Sequence, residues 1–234
     1  MLKHVSVGPQ GELWGCNAAE EVWYRASVDS PWQKSDGALV YLEVASDGTV
    51  YGINNADQIW YKRDFNSPWQ SIEGHLHTIG VGTGPIWGTY GHGIWFKSDI
   101  TAPWQQIDGE LKQISVGHGG DVWGVTPKNK TYYRVYPASD AVDTEADAGI
   151  AETEVGIDWK HVAGDRKHVS VGPHGEVWAI KSDDRIYYRS KNSSNWEEVS
   201  GRLSQISIGA NGLVAGVNKS GGIYIREGTK GITG

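Results

Sequence analysis

The chain has 234 residues, 28 acids against 21 Lys and Arg for a net charge of −7, and 32 Gly, 12 Trp and 11 Tyr beside two Phe and one Cys. One cysteine excludes a disulfide framework. No apolar run is long enough to span a bilayer, and no basic patch dominates, which argues against nucleic acid as a partner.

Read in order, the chain repeats itself six times. It opens with KHVSVGP at 3–9 and continues with the looser LVYLEVA at 39–45, LHTIGVG at 76–82, LKQISVG at 111–117, KHVSVGP again at 167–173 and LSQISIG at 203–209. The units span about 2–38, 39–75, 76–110, 111–165, 166–202 and 203–234. A repeat of this size marks an array of small units, each unable to bury its apolar face alone, so 1–234 reads as one domain.

Each unit carries four short runs rich in Val, Ile, Trp and Tyr. In unit 1 they are His4–Gly8, Glu12–Asn17, Val22–Arg25 and Trp32–Ser35, each bounded by Gly, Pro, Asp or Asn. That is strand chemistry, and no helical spacing is sustained. Four antiparallel strands in each of six units predict an all-β, six-bladed β-propeller, a fold that removes most free sheet edges.

A column of aromatics before a small residue runs Trp14, Tyr51, Trp87, Trp123, Trp178, with Ala215 in unit 6; a second column runs Trp32, Trp69, Trp104, Trp159, Trp196. The first column reads as core, and the Gly after it as a place of tight blade-on-blade packing. Unit 4 holds an insertion at about 137–158. It contains Asp140, Asp143, Glu145, Asp147, Glu152, Glu154 and Asp158 and no Lys or Arg, so these seven acids account for the whole charge imbalance. It reads as an acidic, solvated loop. The chain ends in Thr229-x-x-Ile232-x-Gly234, a copy of Trp69-x-x-Ile72-x-Gly74 without its Trp. Unit 6 is therefore expected to complete its own outer strand, with the ring closing by packing alone. The repeat starts at residue 2, which predicts no signal peptide and a cytoplasmic protein, with unconventional release still open.

The units share the pattern LKQISVGHGGDVWGV (111–125), IYYR (186–189) and WQQIDG (104–109). This pattern resembles the tectonin repeat of the tachylectin-1, fish-egg lectin and fungal tectonin group, and is most similar to the signal-free fungal tectonin 2 type. The resemblance covers the chain outside the unit-4 insertion. It implies a multivalent sugar-binding propeller in a defence role. Its partners would be glycans, either O-methylated mannose- or fucose-type sugars or bacterial lipopolysaccharide. No cofactor, metal or membrane insertion is expected, and a homo-oligomer is the preferred assembly.

Beside the resemblance, the residues themselves nominate sites. Every third strand carries an aromatic two residues before a cation: Trp23/Arg25, Trp60/Lys62, Trp95/Lys97, Tyr132/Arg134, Tyr187/Arg189 and Tyr224/Arg226. The aromatic face suits the CH side of a pyranose, and the cation can donate to hydroxyls. Alternatively, the cation stem covers the ring and its head pairs with a carboxylate of the next blade. The polar turns before these strands reach one rim of the ring, where loops carry function. They hold Asn17, Asn54, Asp57, Tyr90, His92 and Asp183. The candidate carbohydrate-binding residues are accordingly Asn17, Trp23, Arg25, Asn54, Asp57, Trp60, Tyr90, His92, Trp95, Tyr132, Asp183 and Tyr187. They would sit in grooves closed by the Asp36, Glu73 or Asp108 corner of a neighbouring unit, with Asn54, Asp57 and Trp60 the best-formed set. No H-E-x-x-H, G-x-S-x-G or CxxC pattern is present, so an enzyme is not expected. The rival reading is a protein-interaction propeller using the same rim.

Overall fold

The computed structural model describes residues 1–135 and 159–226; the acidic segment at 137–158 and the outer strand expected at 229–234 lie outside the described residues. The chain is a six-bladed β-propeller, all-β among the described residues. Five blades are four-stranded antiparallel sheets, and three strands of the sixth are described. Blade 1 consists of Leu2–Val7, Leu13–Asn17, Glu21–Arg25 and Gln33–Ala38, from inner to outer strand. The outer strand runs past Ser35 because Gly37, at φ 95°, forms a bulge opposite the Glu21/Trp23 shift in register. Gly74, Gly109 and Gly201 do the same in blades 2, 3 and 5. The Asp-Gly and Glu-Gly corners expected between units are thus β-bulges inside strands.

The core is divided into wedges between blades. Trp14, Cys16 and Val22 of blade 1 bury against Leu39, Leu42, Val44 and Val50 of blade 2. Equivalent clusters join every other neighbouring pair, including blade 6 to blade 1. Trp14, Tyr51, Trp87, Trp123, Trp178 and Ala215 are all buried, as their mid-strand position implied. The Gly after this column has a different reason from the one expected. A Cβ at Gly15, Gly52, Gly88, Gly124 or Gly216 would lie 2.3–2.5 Å from the δ-carbon of the leucine that opens the same unit. The close packing is leucine on glycine within a blade, and blade-on-blade contact is not its cause.

Each inner strand bonds its own second strand and turns its other backbone edge toward the neighbouring blade. Side chains satisfy that edge. His4 Nε2 donates to Leu42 O at 2.7 Å, and Ser6 Oγ accepts from Val44 N at 3.0 Å. Gln113 bonds Val169 N and O, and Ser115 accepts from Val171 N. His168 donates to Ile206 O, and Ser170 accepts from Ile208 N. Gln205 bonds Val5 N and O and Ser207 accepts from Val7 N, which closes the ring. The seam therefore closes by these bonds as well as by packing. At the boundary of blades 3 and 4, Gly80 takes the place of the serine, and Ile114 O comes within 3.4 Å of where its Cβ would lie.

Glu43 takes the serine position in blade 2. It accepts from Ser6 Oγ at 2.9 Å and Tyr41 Oη at 3.3 Å. Burial pushes its carboxyl up to about 7. Burial also pushes His4 down to about 3 and His168 down to about 4. The signs oppose each other. The histidine contribution is present above pH 6.5 and is lost as pH falls toward those lowered values. The Glu43 contribution is present below about 4.5 and is lost as pH rises through about 7. Glu43→Gln keeps one oxygen to accept from Ser6 Oγ and removes the charge. At pH 8 the variant should be more stable than wild type by about 3 kcal/mol, and urea denaturation at about pH 3.5 should show no difference.

Candidate functional site

The grooves between blades are built from a backbone clamp outward. The residue entering each third strand is left-handed: Glu20, Asp57, His92, Asn129 and Asp184 have φ of 60–70°, and Gly221 has 74°. In the first five units its carbonyl accepts the N–H that opens the next unit, from Leu39, Leu76, Leu111, Arg166 and Leu203 at 2.8–3.0 Å. The turn before it is held by its own side chain. Asn54 Oδ1 accepts from Ala56 N and Gln58 N, and Asn17 Oδ1 from Ala19 N and Glu21 N. These asparagines therefore shape the turn.

In units 2, 3, 4 and 6 this clamp lays the opening leucine over the second-strand glycine, beside the third-strand aromatic. Gly15 is paired with Trp23, Gly52 with Trp60, Gly88 with Trp95 and Gly124 with Tyr132. The outer-strand Trp makes the far wall, and in blades 2, 3 and 5 it is tethered to the preceding blade. Trp69 Nε1 donates to Asp36 O at 3.0 Å, Trp104 Nε1 to Glu73 O at 2.6 Å and Trp196 Nε1 to Ala163 O at 3.1 Å.

The same slot recurs around the ring. Leu2, Asn17, Glu21, Trp23 and Trp32 line a groove of about 350 Å³ between blades 6 and 1. His75, Leu76, Tyr90, Trp95 and Trp104 line one of about 180 Å³ between blades 2 and 3, where Tyr90 is 43 % exposed and lies 4.8 Å from the His77 ring. Leu111, Pro127, Lys128, Tyr132 and Trp159 line one of about 420 Å³ between blades 3 and 4. A further groove between blades 5 and 6 is bounded by Leu203, Asn218 and Tyr224.

The structure thus gathers Asn17 with Trp23, Tyr90 with Trp95, and Tyr132 with its neighbours, but not the other candidates. Asn54, Asp57 and Trp60 do not form one site. Trp60 packs against the blade 1 cluster, whereas the Asp57 carboxylate lies 3.5 Å from His77 Nε2 of blade 3. The two point to opposite neighbours because the turn residue clamps the following unit. His92 is exposed and contributes its carbonyl to the clamp. Asp183 pairs with Arg185 at 2.7 Å, and Tyr187 lies under Arg166.

Arg25, Lys62 and Lys97 do not line the slots, whereas Arg226 lines the groove between blades 5 and 6 beside Tyr224. Arg25 lies 4.9 Å from the Trp32 ring, and Lys97 Nζ lies 5.1 Å from the Trp104 ring and donates to Ile100 O. Lys62, 1 % exposed, sits 5.2 Å from the Trp69 ring and bonds Asp36 Oδ1 of blade 1 at 2.7 Å. In these three blades the cation therefore braces the outer-strand Trp from within, and the slots at blades 6 and 1 and at blades 2 and 3 keep only the aromatic of the pair. The wall residues overlooked in the sequence are Trp32, Trp104 and Trp159. Their regular column was visible and served only to align the units.

A family model described as the tectonin domain matches residues 1–145 and 64–233. The chain belongs to the tectonin family. No curated protein matches it. Among solved structures, this tectonin propeller is similar in fold to Prp20p from Saccharomyces cerevisiae, with TM-score 0.63, 10 % identity and 94 % of this chain and 70 % of that chain covered. It is similar also to the Cps50 (Swd1) β-propeller domain from Myceliophteria thermophila, with TM-score 0.62, 12 % identity and 94 % and 81 % covered. A third is virginiamycin B lyase from Staphylococcus aureus, with TM-score 0.57, 14 % identity and 97 % and 84 % covered. These neighbours include a protein whose binding to Gsp1p and histones was studied and a lyase, so they share the propeller and no single role.

The clamp makes a specific prediction. A glycine meets φ 70° without strain, and a β-branched residue does not. His92→Gly should hold stability to within about 1 kcal/mol, whereas His92→Val should lose about 1–2 kcal/mol, both read by urea denaturation.

Proposed function

We propose that this tectonin propeller is a multivalent lectin for cell-surface glycans, taking O-methylated sugars or the sugars of bacterial lipopolysaccharide in its interblade slots. One observation carries the reading: the same aromatic-walled slot, with a leucine floor, recurs at the boundaries of blades 6 and 1, 2 and 3, and 3 and 4. Trp23/Trp32, Trp95/Trp104 and Tyr132/Trp159 each offer a ring face for the CH side of a pyranose and an apolar corner for a methyl ether. A buried methyl is worth only about 0.8 kcal/mol, so each slot discriminates modestly. Millimolar binding at one slot corresponds to about −4 kcal/mol. Several slots on one rigid ring facing a dense glycan surface gain roughly 10²–10⁴ in avidity.

No catalytic role is proposed. A glycosidase requires two placed carboxylates in one pocket. The slot at blades 6 and 1 offers Glu21 and the one at blades 3 and 4 offers Glu110. Glu21 is already bonded to Lys34 and Asn17.

The test is a glycan array bearing O-methylated sugars and lipopolysaccharide cores at two surface densities. The expected result is binding to one sugar class that strengthens steeply with density and weakens about tenfold or more in Trp95→Ala, while the variant still unfolds cooperatively. Silence across the array would remove the lectin reading in favour of a protein-interaction propeller.

A further inference from the structure

One boundary departs from the others. In five units the opening residue is leucine and the second-strand residue is glycine: Leu2 and Gly15, Leu39 and Gly52, Leu76 and Gly88, Leu111 and Gly124, Leu203 and Gly216. Unit 5 has Arg166 and Ala179 instead. The two changes are coupled by volume. A Cβ on the glycine would stand 2.3–2.5 Å from the leucine δ-carbon in all five cases, far inside van der Waals contact. Ala179 supplies that Cβ and is fully buried. A leucine in the usual position would therefore clash, and the side chain opening unit 5 has to lie elsewhere.

It lies in the slot. The Arg166 guanidinium carbon is 4.5 Å from the Tyr187 ring centroid and 4.5 Å from the Trp196 ring centroid. These rings are the counterparts of Trp95 and Trp104. Arg166 is 3 % exposed, Nη1 donates to Asp165 O at 2.9 Å, and Nε has no hydrogen-bond partner. The mouth is tied shut as well: Tyr187 Oη donates to Glu198 Oε2 at 2.9 Å, and Arg185 bonds both Glu198 and Asp183. A flat cation between two electron-rich rings satisfies the site as a bound ligand would.

We propose that the groove between blades 4 and 5 is self-occupied: Arg166 acts as an internal ligand of the Tyr187–Trp196 slot and keeps out the ligand taken by the leucine-floored slots. What it keeps out rests on the lectin reading; its occupancy of the slot does not. The Arg166–Ala179 pair then closes the boundary of blades 4 and 5, and the ring is a directional array.

Two titrations on ¹⁵N-tryptophan-labelled protein separate the claims. The first uses methylguanidinium and no sugar. In Arg166→Ala it should shift the Trp196 indole signal at millimolar concentration, with a response at least tenfold weaker in wild type. An equal response in both proteins, or none in the variant, would overturn self-occupancy. The second uses methyl 2-O-methyl-α-L-fucopyranoside. In wild type the Trp32, Trp104 and Trp159 indoles should move while Trp196 stays; in Arg166→Leu with Ala179→Gly, which restores the pattern of the other units, Trp196 should join them. Movement of Trp196 in wild type, or its immobility in the double variant while the others move, would overturn the proposal. If no indole moves with the sugar while methylguanidinium behaves as expected, self-occupancy stands and the sugar reading falls. Should Arg166→Ala not fold, the double variant carries the comparison through Trp196.

Discussion

Six blades can close a ring only if each inner strand finds partners for the backbone edge it turns to its neighbour. An unmet buried N–H or C=O costs about 1–3 kcal/mol, and a ring of inner strands carries many of them. In four of the six blades the solution is written into two positions of the inner strand. His4 and Ser6, Gln113 and Ser115, His168 and Ser170, and Gln205 and Ser207 each reach across to the next blade's backbone. The bonds are short and directional, so they fix the spacing between blades more tightly than apolar contact alone would. That also accounts for His4 and His168: buried and neutral, they serve as edge donors.

The slots follow from this spacing. With the inner strands held at a set distance, the sheets fan apart toward their outer strands and leave a wedge at each boundary. Large aromatics fill the deep part of the wedge, as Trp14, Trp87 and Trp178 do. Farther out, the left-handed turn residue pins the linker, and the linker leucine closes the floor. In blades 2, 3 and 5 the outer-strand Trp spans the gap by donating to a backbone carbonyl of the preceding blade. What remains open is a shallow, aromatic-sided cleft whose shape is set by backbone hydrogen bonds rather than by side-chain packing. A cleft of that kind can be repeated around a ring with modest sequence variation and still present the same chemistry.

Much of the fold was legible because period-two alternation and Trp spacing are strong signals: the six-fold array, the strands and the buried Trp14 column all follow from them. The register of the outer strands was not legible. Asp36-Gly37 has the composition of a turn, and only the pairing of Glu21 with Ala38 shows it as a bulge. The sites were half legible. The third-strand aromatics were found by alternation, but alternation places Arg25, Lys62 and Lys97 on the same face without saying how far along the wedge they lie. Asn54, Asp57 and Trp60 do not share one groove, because sequence proximity hides a turn whose Asn54 side chain serves itself and whose Asp57 backbone serves the next blade. The Leu–Gly coupling is visible in the sequence only once the structure shows that the two residues touch.

Open slots recur at several boundaries and Arg166 fills the one between blades 4 and 5, so the proposed lectin gains strength through repetition and acquires a direction through this exception. The account stands or falls on where a sugar ring rests. A crystal structure of the protein with an O-methylated monosaccharide tests it most directly. The predicted result is a pyranose lying face-on against Trp23, Trp95 or Tyr132, with its methyl ether toward the linker leucine and no sugar at Tyr187. Sugar bound only on the inner-strand channel or on the outer faces of the blades would contradict it.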